Sequence, residues 1–170
     1  MNLRVIQLSA IGILAFSLTG CPPKKQVKTE EPKAEEQQPP KPAEEPSLRG
    51  KDYKEVPEIS TILFDLDQAT LRADARDTLE KNAQILKQHD DWEVLVEGHC
   101  DERGTTEYNL GLGQKRAAAV RQYYMTLGLS GTKIATISYG KESPACTEHT
   151  EDCWSKNRRG VTKVRVPEAK

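Results

Sequence analysis

The 170-residue sequence is poor in aromatic residues, in net charge and in long hydrophobic runs. Aromatic side chains make up 5% of the chain, and 25 Lys and Arg stand against 26 Asp and Glu, which gives a formal net charge of -1 at pH 7. A near-neutral chain lacks the basic surface that neutralises a polyanion, so nucleic acid is not expected as a partner. The most apolar segment, residues 5–18, is shorter than the roughly 20 residues of a membrane-spanning helix. The composition therefore excludes a multi-span membrane protein, and the length suits one domain.

Residues 1–20 are typical of a secretory leader. Arg4 precedes residues 5–18, of which ten of fourteen are apolar, and Leu18-Thr19-Gly20-Cys21 follows. This tetrapeptide resembles the lipobox of bacterial lipoproteins, which implies cleavage before Cys21 and lipidation of that residue. The alternative is an ordinary secretory leader with an unrelated cysteine. The three acyl chains of such a lipoprotein would anchor the protein to a membrane permanently, because two chains already suffice.

Residues 22–47 have the composition of a linker. They contain seven of the ten prolines, six Glu, five Lys and no aromatic residue. Such a segment buries too little apolar surface to offset the entropy of ordering, so the sequence predicts a disordered tether. Its r.m.s. span as a flexible coil would be about 28 Å, and an extended polyproline chain would reach on the order of 80 Å. The expected organisation is a leader at 1–20, lipidated Cys21 with its linker at 21–47, and a folded domain at 48–170.

The folded part alternates between strand and helix periodicity. β-Branched or alternating patterns predict strands at 59–64, 92–98, 133–139 and 161–166. Helical spacing predicts helices at 71–88 and 106–127, the latter ending at Gly128 as a left-handed cap, and a short helical turn at 154–158. The order of elements predicts an α+β domain in which helices cover one face of a four-stranded mixed sheet.

One residue of the second predicted helix does not fit its position. Arg116, with Asn109 seven residues before it, falls near the middle of the apolar stripe that Val120 and Leu127 define. A buried arginine is costly unless it is paired. Either this half of the helix faces a cleft, or Arg116 has an acidic partner, for which Asp101 is the nearest candidate. The pair is then a plain internal salt bridge, or it forms a pocket complementary to a zwitterion such as an amino acid.

Several motifs occur in a characteristic order between residues 61 and 166. They are Val96-Glu97-Gly98-His99-Cys100-Asp101-Glu102-Arg103-Gly104-Thr105, Glu107-Tyr108-Asn109, Leu112-Gly113, Arg116-Ala117, Ser138-Tyr139-Gly140 with Pro144, and Asn157-Arg158-Arg159. Together they resemble the peptidoglycan-associated lipoproteins of the OmpA-like domain family. The lipobox, linker and domain also stand in the order of that family.

The resemblance implies non-covalent binding of the diaminopimelate side chain of peptidoglycan stems. Asp101 would take the ammonium and Arg116 the carboxylate of one amino-acid centre, with Asp67 and Asn109 beside them. It also implies an anchor in the outer membrane with the domain in the periplasm, and a role in a Tol-Pal type system in envelope integrity and cell division. The partner in that system would be the periplasmic β-propeller protein. No enzymatic activity, cofactor or metal is implied. For Asp67, an Asx turn or a helix cap is the alternative.

Two other functions are alternatives to peptidoglycan tethering. The first is a periplasmic peptidoglycan hydrolase that uses Asp101, Glu102 and His99, although the sequence has no nucleophile elbow or zincin helix. The second is a stator-type wall binder of the same fold, which would need a membrane-spanning helix. His99 is expected to be a structural residue. Glu102 and Arg103 are expected to be solvated. For Arg158 and Arg159 there are two interpretations: they clamp carbonyls or carboxylates, or they are surface cations.

Four cysteines occur, and lipidation of Cys21 would leave three. Cys146 and Cys153 flank a short polar loop, and a disulfide between them is expected in an oxidising compartment. The alternative is a metal site of Cys146, His149 and Cys153, which needs a fourth ligand. Cys100 stands where the family more often has Ala or Thr, and we expect it to be a small buried residue.

Overall fold

The computed structural model describes residues 45–48 and 51–166. The predicted leader, Cys21 and residues 22–44 of the predicted linker lie outside the described residues. Among the helices that are described, none is both long and apolar enough to cross a membrane.

The domain is a four-stranded mixed sheet in the order β1-β4-β2-β3, with helices packed against it. Strand β2 runs parallel to β3 and antiparallel to β4, and β4 runs antiparallel to β1. This confirms the predicted α+β architecture. The elements are β1 (Ile62–Leu63), α1 (Ala73–Lys87), β2 (Glu93–His99), α2 (Thr106–Thr126), a 3-10 turn (Gly131–Lys133), β3 (Ile134–Gly140), α3 (Glu151–Asn157) and β4 (Arg159–Arg165).

Strand β1 is shorter than the predicted strand at 59–64, and a side chain of α1 explains the difference. The amide of Asn82 is buried, where it accepts a hydrogen bond from the Ser60 backbone N–H at 2.9 Å and donates one to the Ser60 carbonyl at 2.8 Å. These bonds satisfy the backbone of Ser60 without a neighbouring strand. The chain therefore joins the sheet only from Ile62.

The helix α2 lies unusually close to the sheet because two glycines face each other. A Cβ on Gly98 of β2 would lie 1.9 Å from the carbonyl oxygen of Gly113 in α2, so no larger residue fits. The helix ends as predicted at Gly128, which adopts the left-handed conformation with φ +94°. Close approach at Gly113 brings the next turn of α2, which carries Arg116, down to the end of β2.

The outer edge of β3 carries a contact from the described part of the predicted linker. The carboxylate of Glu45 accepts hydrogen bonds from the Thr136 backbone N–H at 3.0 Å and from the Thr136 hydroxyl at 2.9 Å. It also lies 3.6 Å from the guanidinium of Arg121. The chain is therefore in contact with the domain as early as Glu45.

Candidate functional site

The predicted site residues line one cavity of about 240 Å³ at the end of β2. We call it the charged cavity. Four parts of the chain form it: the loop after β1, the loop between β2 and α2, the first half of α2, and Arg158 directly before β4. Its lining includes all four predicted ligand-binding residues, Asp67, Asp101, Asn109 and Arg116.

Arg116 forms the fully buried base of this cavity. Its guanidinium donates to three backbone carbonyls, those of His99 at 2.7 Å, Gln68 at 2.8 Å and Asp65 at 3.0 Å. The guanidinium carbon also lies 5.1 Å from the centre of the Phe64 ring. Burial lowers the pKa of Arg116 from its ordinary value. Helix α2 thus supplies a fixed cation that ties the loop after β1 to the end of β2.

Asp101 is buried in the wall of the cavity, but its partners do not include Arg116, which the sequence suggested. It accepts two hydrogen bonds from the guanidinium of Arg103, at 2.6 and 3.2 Å, and one from Arg158 at 3.1 Å. Within residues 51–166, no ion pair joins Asp101 to Arg116. The interpretation as a plain internal salt bridge between Asp101 and Arg116 is therefore wrong, because backbone carbonyls satisfy Arg116.

The pKa of Asp101 is set by two opposing effects. Burial alone would raise it, but the hydrogen bonds from Arg103 and Arg158 outweigh burial and lower the pKa below its ordinary value. Asp101 is therefore a carboxylate at neutral pH.

Two arginines take part in the site beyond those predicted to bind ligand. Arg103 is half-buried rather than solvated, and this corrects the prediction for it. Arg158 donates to the Phe64 carbonyl, to Asp101 and to Glu151, as a clamp on carbonyls and carboxylates would. The motif Asn157-Arg158-Arg159 at the start of β4 indicated a role for Arg158 in the sequence. No sequence pattern indicated that Arg103 would contact Asp101.

Asp67 and Tyr108 form the exposed rim of the cavity. Asp67 has a positive φ of 57°, and its carboxylate accepts a hydrogen bond from the Tyr108 hydroxyl across the opening. This bond raises the pKa of Tyr108. Leu66 and Tyr108 are each 53% exposed and give the rim an apolar part.

Asn109 holds the loop that carries Asp101. Its side-chain amide donates to the carbonyls of Arg103 at 2.8 Å and Thr105 at 3.0 Å. The amide N–H groups are thus engaged with the protein itself, and Asn109 positions the neighbouring charges.

The charged cavity combines three guanidinium groups with two carboxylates. The charges are held by backbone carbonyls and by each other, so they do not need to reorganise when a ligand enters. Such an arrangement suits a ligand that carries an ammonium and a carboxylate close together.

The residues of the alternative hydrolase do not converge. His99 is buried, contacts Glu97 at 3.4 Å and stacks on Tyr139, and it is not among the residues that line the charged cavity. Glu102 accepts hydrogen bonds from His149 at 2.5 Å and Trp154 at 2.8 Å, so it is engaged rather than merely solvated. Asp101 lines the charged cavity without either of them.

The predicted disulfide between Cys146 and Cys153 is present, with the two Cα atoms 5.7 Å apart. It occupies both sulfur atoms of the proposed metal site, and the imidazole of His149 contacts Glu102 instead. Glu148 lies beside the two sulfurs as a third group of ligand type. Cys100 is a free, buried cysteine, as expected, and burial raises the pKa of its thiol.

Comparison with known proteins identifies relatives of this chain by sequence. The sequence pattern of the OmpA family matches residues 63–158. The peptidoglycan-associated lipoprotein of Brucella melitensis is 50% identical over 101 residues, which are 59% of this chain and 60% of that protein. The protein of the same name from Pseudomonas aeruginosa is 44% identical, again over 101 residues, with the same shares of the two chains. The match thus spans about three fifths of the length of these curated relatives.

Solved structures show the same fold. The crystal structure of the peptidoglycan-associated lipoprotein from Burkholderia pseudomallei has a TM-score of 0.60 and 40% identity, and covers 62% of this chain and 89% of that one. The C-terminal domain of Helicobacter pylori MotB also has a TM-score of 0.60, over 65% of this chain and 87% of that one, but its 19% identity shows likeness of fold alone. Because the family pattern covers more than half of the sequence, from β1 to the residue before β4, this chain belongs to the OmpA family.

Proposed function

We propose that this protein is a lipoprotein of the bacterial envelope that binds peptidoglycan non-covalently and tethers the outer membrane to the cell wall. The names of its relatives support peptidoglycan association and a lipid anchor. The finer proposal is that the charged cavity binds the diaminopimelate of a stem peptide. In that role Asp101 takes the ammonium and Arg116 the carboxylate, with Asp67 and Asn109 beside them.

The observation that carries this proposal is the presence of two buried, opposite charges in one cavity without an ion pair between them. Arg116 is bonded to carbonyls, and among the residues that the structure describes no carboxylate forms an ion pair with it. A ligand carboxylate would supply that partner. Asp101 faces the same space and would attract the ligand ammonium, although it must share its oxygens with Arg103 and Arg158.

Sedimentation with purified peptidoglycan tests this site. Asp101→Asn and Arg116→Lys should each weaken binding to diaminopimelate-containing walls by more than tenfold, which corresponds to about 1.4 kcal/mol. Asp74→Asn is a matched control, since Asp74 is an exposed carboxylate of α1 paired with Arg72. Circular dichroism must show that each variant is folded.

The chemistry of the wall gives a second arm of the same test. Stems that carry lysine in place of diaminopimelate lack the second ammonium-carboxylate centre, so they should bind poorly to the unmutated domain. Equal binding to both wall types would overturn the assignment of the charged cavity.

The anchor and the partner complete the proposal. We propose that Cys21 is lipidated in the outer membrane and that the domain lies in the periplasm, where it also meets the β-propeller protein of a Tol-type system. Cys21→Ser should abolish acylation and membrane fractionation. Cross-linking in whole cells should capture the propeller protein with the lipidated form.

We propose binding without hydrolysis. The domain should release no soluble muropeptides from purified walls over hours at neutral pH. Release that Asp101→Asn abolishes would establish the alternative hydrolase.

A further inference from the structure

We propose that a second cavity beside the charged cavity binds an amino-sugar ring of the peptidoglycan glycan strand. The inference rests on the proposed function, because the sugar would belong to the same wall polymer as the stem peptide. We call this second site the loop cavity, since the loop between β3 and α3 closes it.

The loop cavity is a direct neighbour of the charged cavity. It has a volume of about 300 Å³ and is lined by residues of that loop, of α3 and of the loop after β2. Cys100 lines both cavities. Between them, the guanidinium carbon of Arg103 lies 4.3 Å from the centre of the Trp154 ring, so the two side chains form a shared wall. A single polymer can therefore reach both.

The inner surface of the loop cavity is apolar although several of its side chains are polar. Trp154, Pro144 and the disulfide-bonded Cys146 contribute apolar surface. The polar groups behind them are already satisfied: the Trp154 indole N–H donates to Glu102, and the Asn157 side chain bonds the backbone of Cys146 through both its oxygen and its nitrogen. A ligand therefore meets ring and methylene surface at the base rather than unpaired donors.

The rim of the loop cavity is polar and balanced in charge. Thr147, Glu148 and His149 are exposed residues of its lining, and the half-buried Lys141 is a further lining residue. Lys141 donates to the Gly104 carbonyl at 2.7 Å, while Glu102 receives the bond from His149. The lining thus combines two carboxylates, those of Glu102 and Glu148, with Lys141 and the imidazole of His149, so it offers donors and acceptors without a strong excess of either charge.

These features select one part of the wall polymer. A sugar ring has a flat face of C–H groups, which suits the indole and proline surface, and hydroxyl and amide groups at its edge, which suit the rim. The stem peptide carries carboxylates, an ammonium and methyl groups, and it has no comparable flat apolar face. The amino sugar is therefore the part that matches both the base and the rim.

The loop cavity is also held open in advance. The disulfide ties the middle of its loop, at Cys146, to Cys153 of α3, and Glu102 bonds both His149 of the loop and Trp154 of α3. A ligand would not have to order these groups, which lowers the entropic cost of binding.

Calorimetry with two ligands tests the proposal on the folded domain. One ligand is a stem peptide that contains diaminopimelate, and the other is the same stem attached to its disaccharide. We expect the sugar-bearing ligand to bind at least fivefold more tightly. Thr147→Tyr, which fills the mouth of the loop cavity, should remove this advantage and leave the affinity for the free stem unchanged. Lys156→Tyr is the matched control, because Lys156 is exposed on α3 and does not line the cavity.

Fluorescence gives an independent measurement. The chain has two tryptophans, and Trp92→Phe leaves Trp154 as the only one. The sugar-bearing ligand should shift the emission of Trp154, whereas the free stem should change it less. Equal affinities for the two ligands, or a Thr147→Tyr variant that keeps the advantage, would overturn the sugar site while leaving the proposed function intact. Absence of binding by the free stem would instead overturn the proposed function, and the sugar site with it.

Discussion

The charged cavity and the loop cavity lie side by side, yet they hold their charges in different ways. In the charged cavity, Arg116 is fully buried and Asp101 is 5% exposed, and their partners are backbone carbonyls and other guanidinium groups. In the loop cavity, the Glu102 and His149 side chains are 42% and 80% exposed, and a covalent bond holds the loop. A buried charge that loses its partner is expensive, whereas an exposed pair contributes little. The two cavities should therefore respond very differently to substitution.

The largest effect is expected at Arg116. Arg116→Ala would empty a fully buried site and leave the buried carbonyl of His99 and the partly buried carbonyls of Asp65 and Gln68 without their donor, so it should lower the free energy of unfolding by about 4–5 kcal/mol. Urea denaturation measures this loss. Arg76→Ala, on the exposed face of α1, is the control and should stay within about 0.5 kcal/mol. A loss below about 1 kcal/mol for Arg116→Ala would show that water replaces the guanidinium easily.

Asp101 should come next. Asp101→Asn leaves Arg158 and Arg103 without their shared carboxylate, and we expect a loss of about 3 kcal/mol in unfolding free energy at pH 7. Because the folded pKa of Asp101 is lowered, its contribution is present above the ordinary value of 3.8 and is lost as the pH falls through the folded pKa. Denaturation between pH 2 and 7 should therefore show a steeper fall for the unmutated domain than for Asp101→Asn. Parallel curves would contradict this role.

The disulfide should have a smaller effect. Closing an eight-residue loop restricts the unfolded chain by about 2.5 kcal/mol, so the double variant Cys146→Ser, Cys153→Ser should lose about that amount. The charged cavity lies on the other side of the Arg103–Trp154 wall. Binding of a free stem peptide should therefore change less than twofold, which calorimetry can measure. A tenfold loss of stem binding would show that the two cavities are coupled.

The smallest effect is expected at His149. Its hydrogen bond to Glu102 raises the pKa of the imidazole above the ordinary value of 6.5. The contact should thus be intact below pH 6.5 and lost as the pH rises through the raised pKa. Amide hydrogen exchange of residues 146–150, corrected for the intrinsic dependence on pH, should become faster at high pH. His149→Gln should remove this dependence without changing the exchange of α2.

The charged cavity could be predicted in part because one of its residues is charged at a position where the helical pattern calls for an apolar side chain. Arg116 stands in an apolar helical stripe, and this anomaly together with the order of motifs indicated a site that contains Asp101, Asn109 and Asp67. The periodicity also predicted every helix and strand to within a few residues, apart from the start of β1, where the side chain of Asn82 replaces a strand.

The partners of these residues could not be read from the sequence. Backbone carbonyls satisfy Arg116, and they carry no sequence signal. Arg103 and Arg158 meet at Asp101 only because the sheet brings the loop after β2 beside the start of β4. The loop cavity was equally hidden, since Trp154 and Glu102 are 52 residues apart.

The contact of Glu45 with β3 concerns the edge of the sheet rather than either cavity. Strand β3 lies at the border of the sheet, where unpaired backbone groups can recruit a strand from another molecule. The Glu45 carboxylate accepts a hydrogen bond from the Thr136 backbone N–H, so this donor is no longer available at the sheet edge, where a negative charge now lies. A second β-strand would have to displace this charge before it could pair. Glu45 thus covers, from outside the four strands, one of the backbone donors that another strand would need in order to pair at this edge.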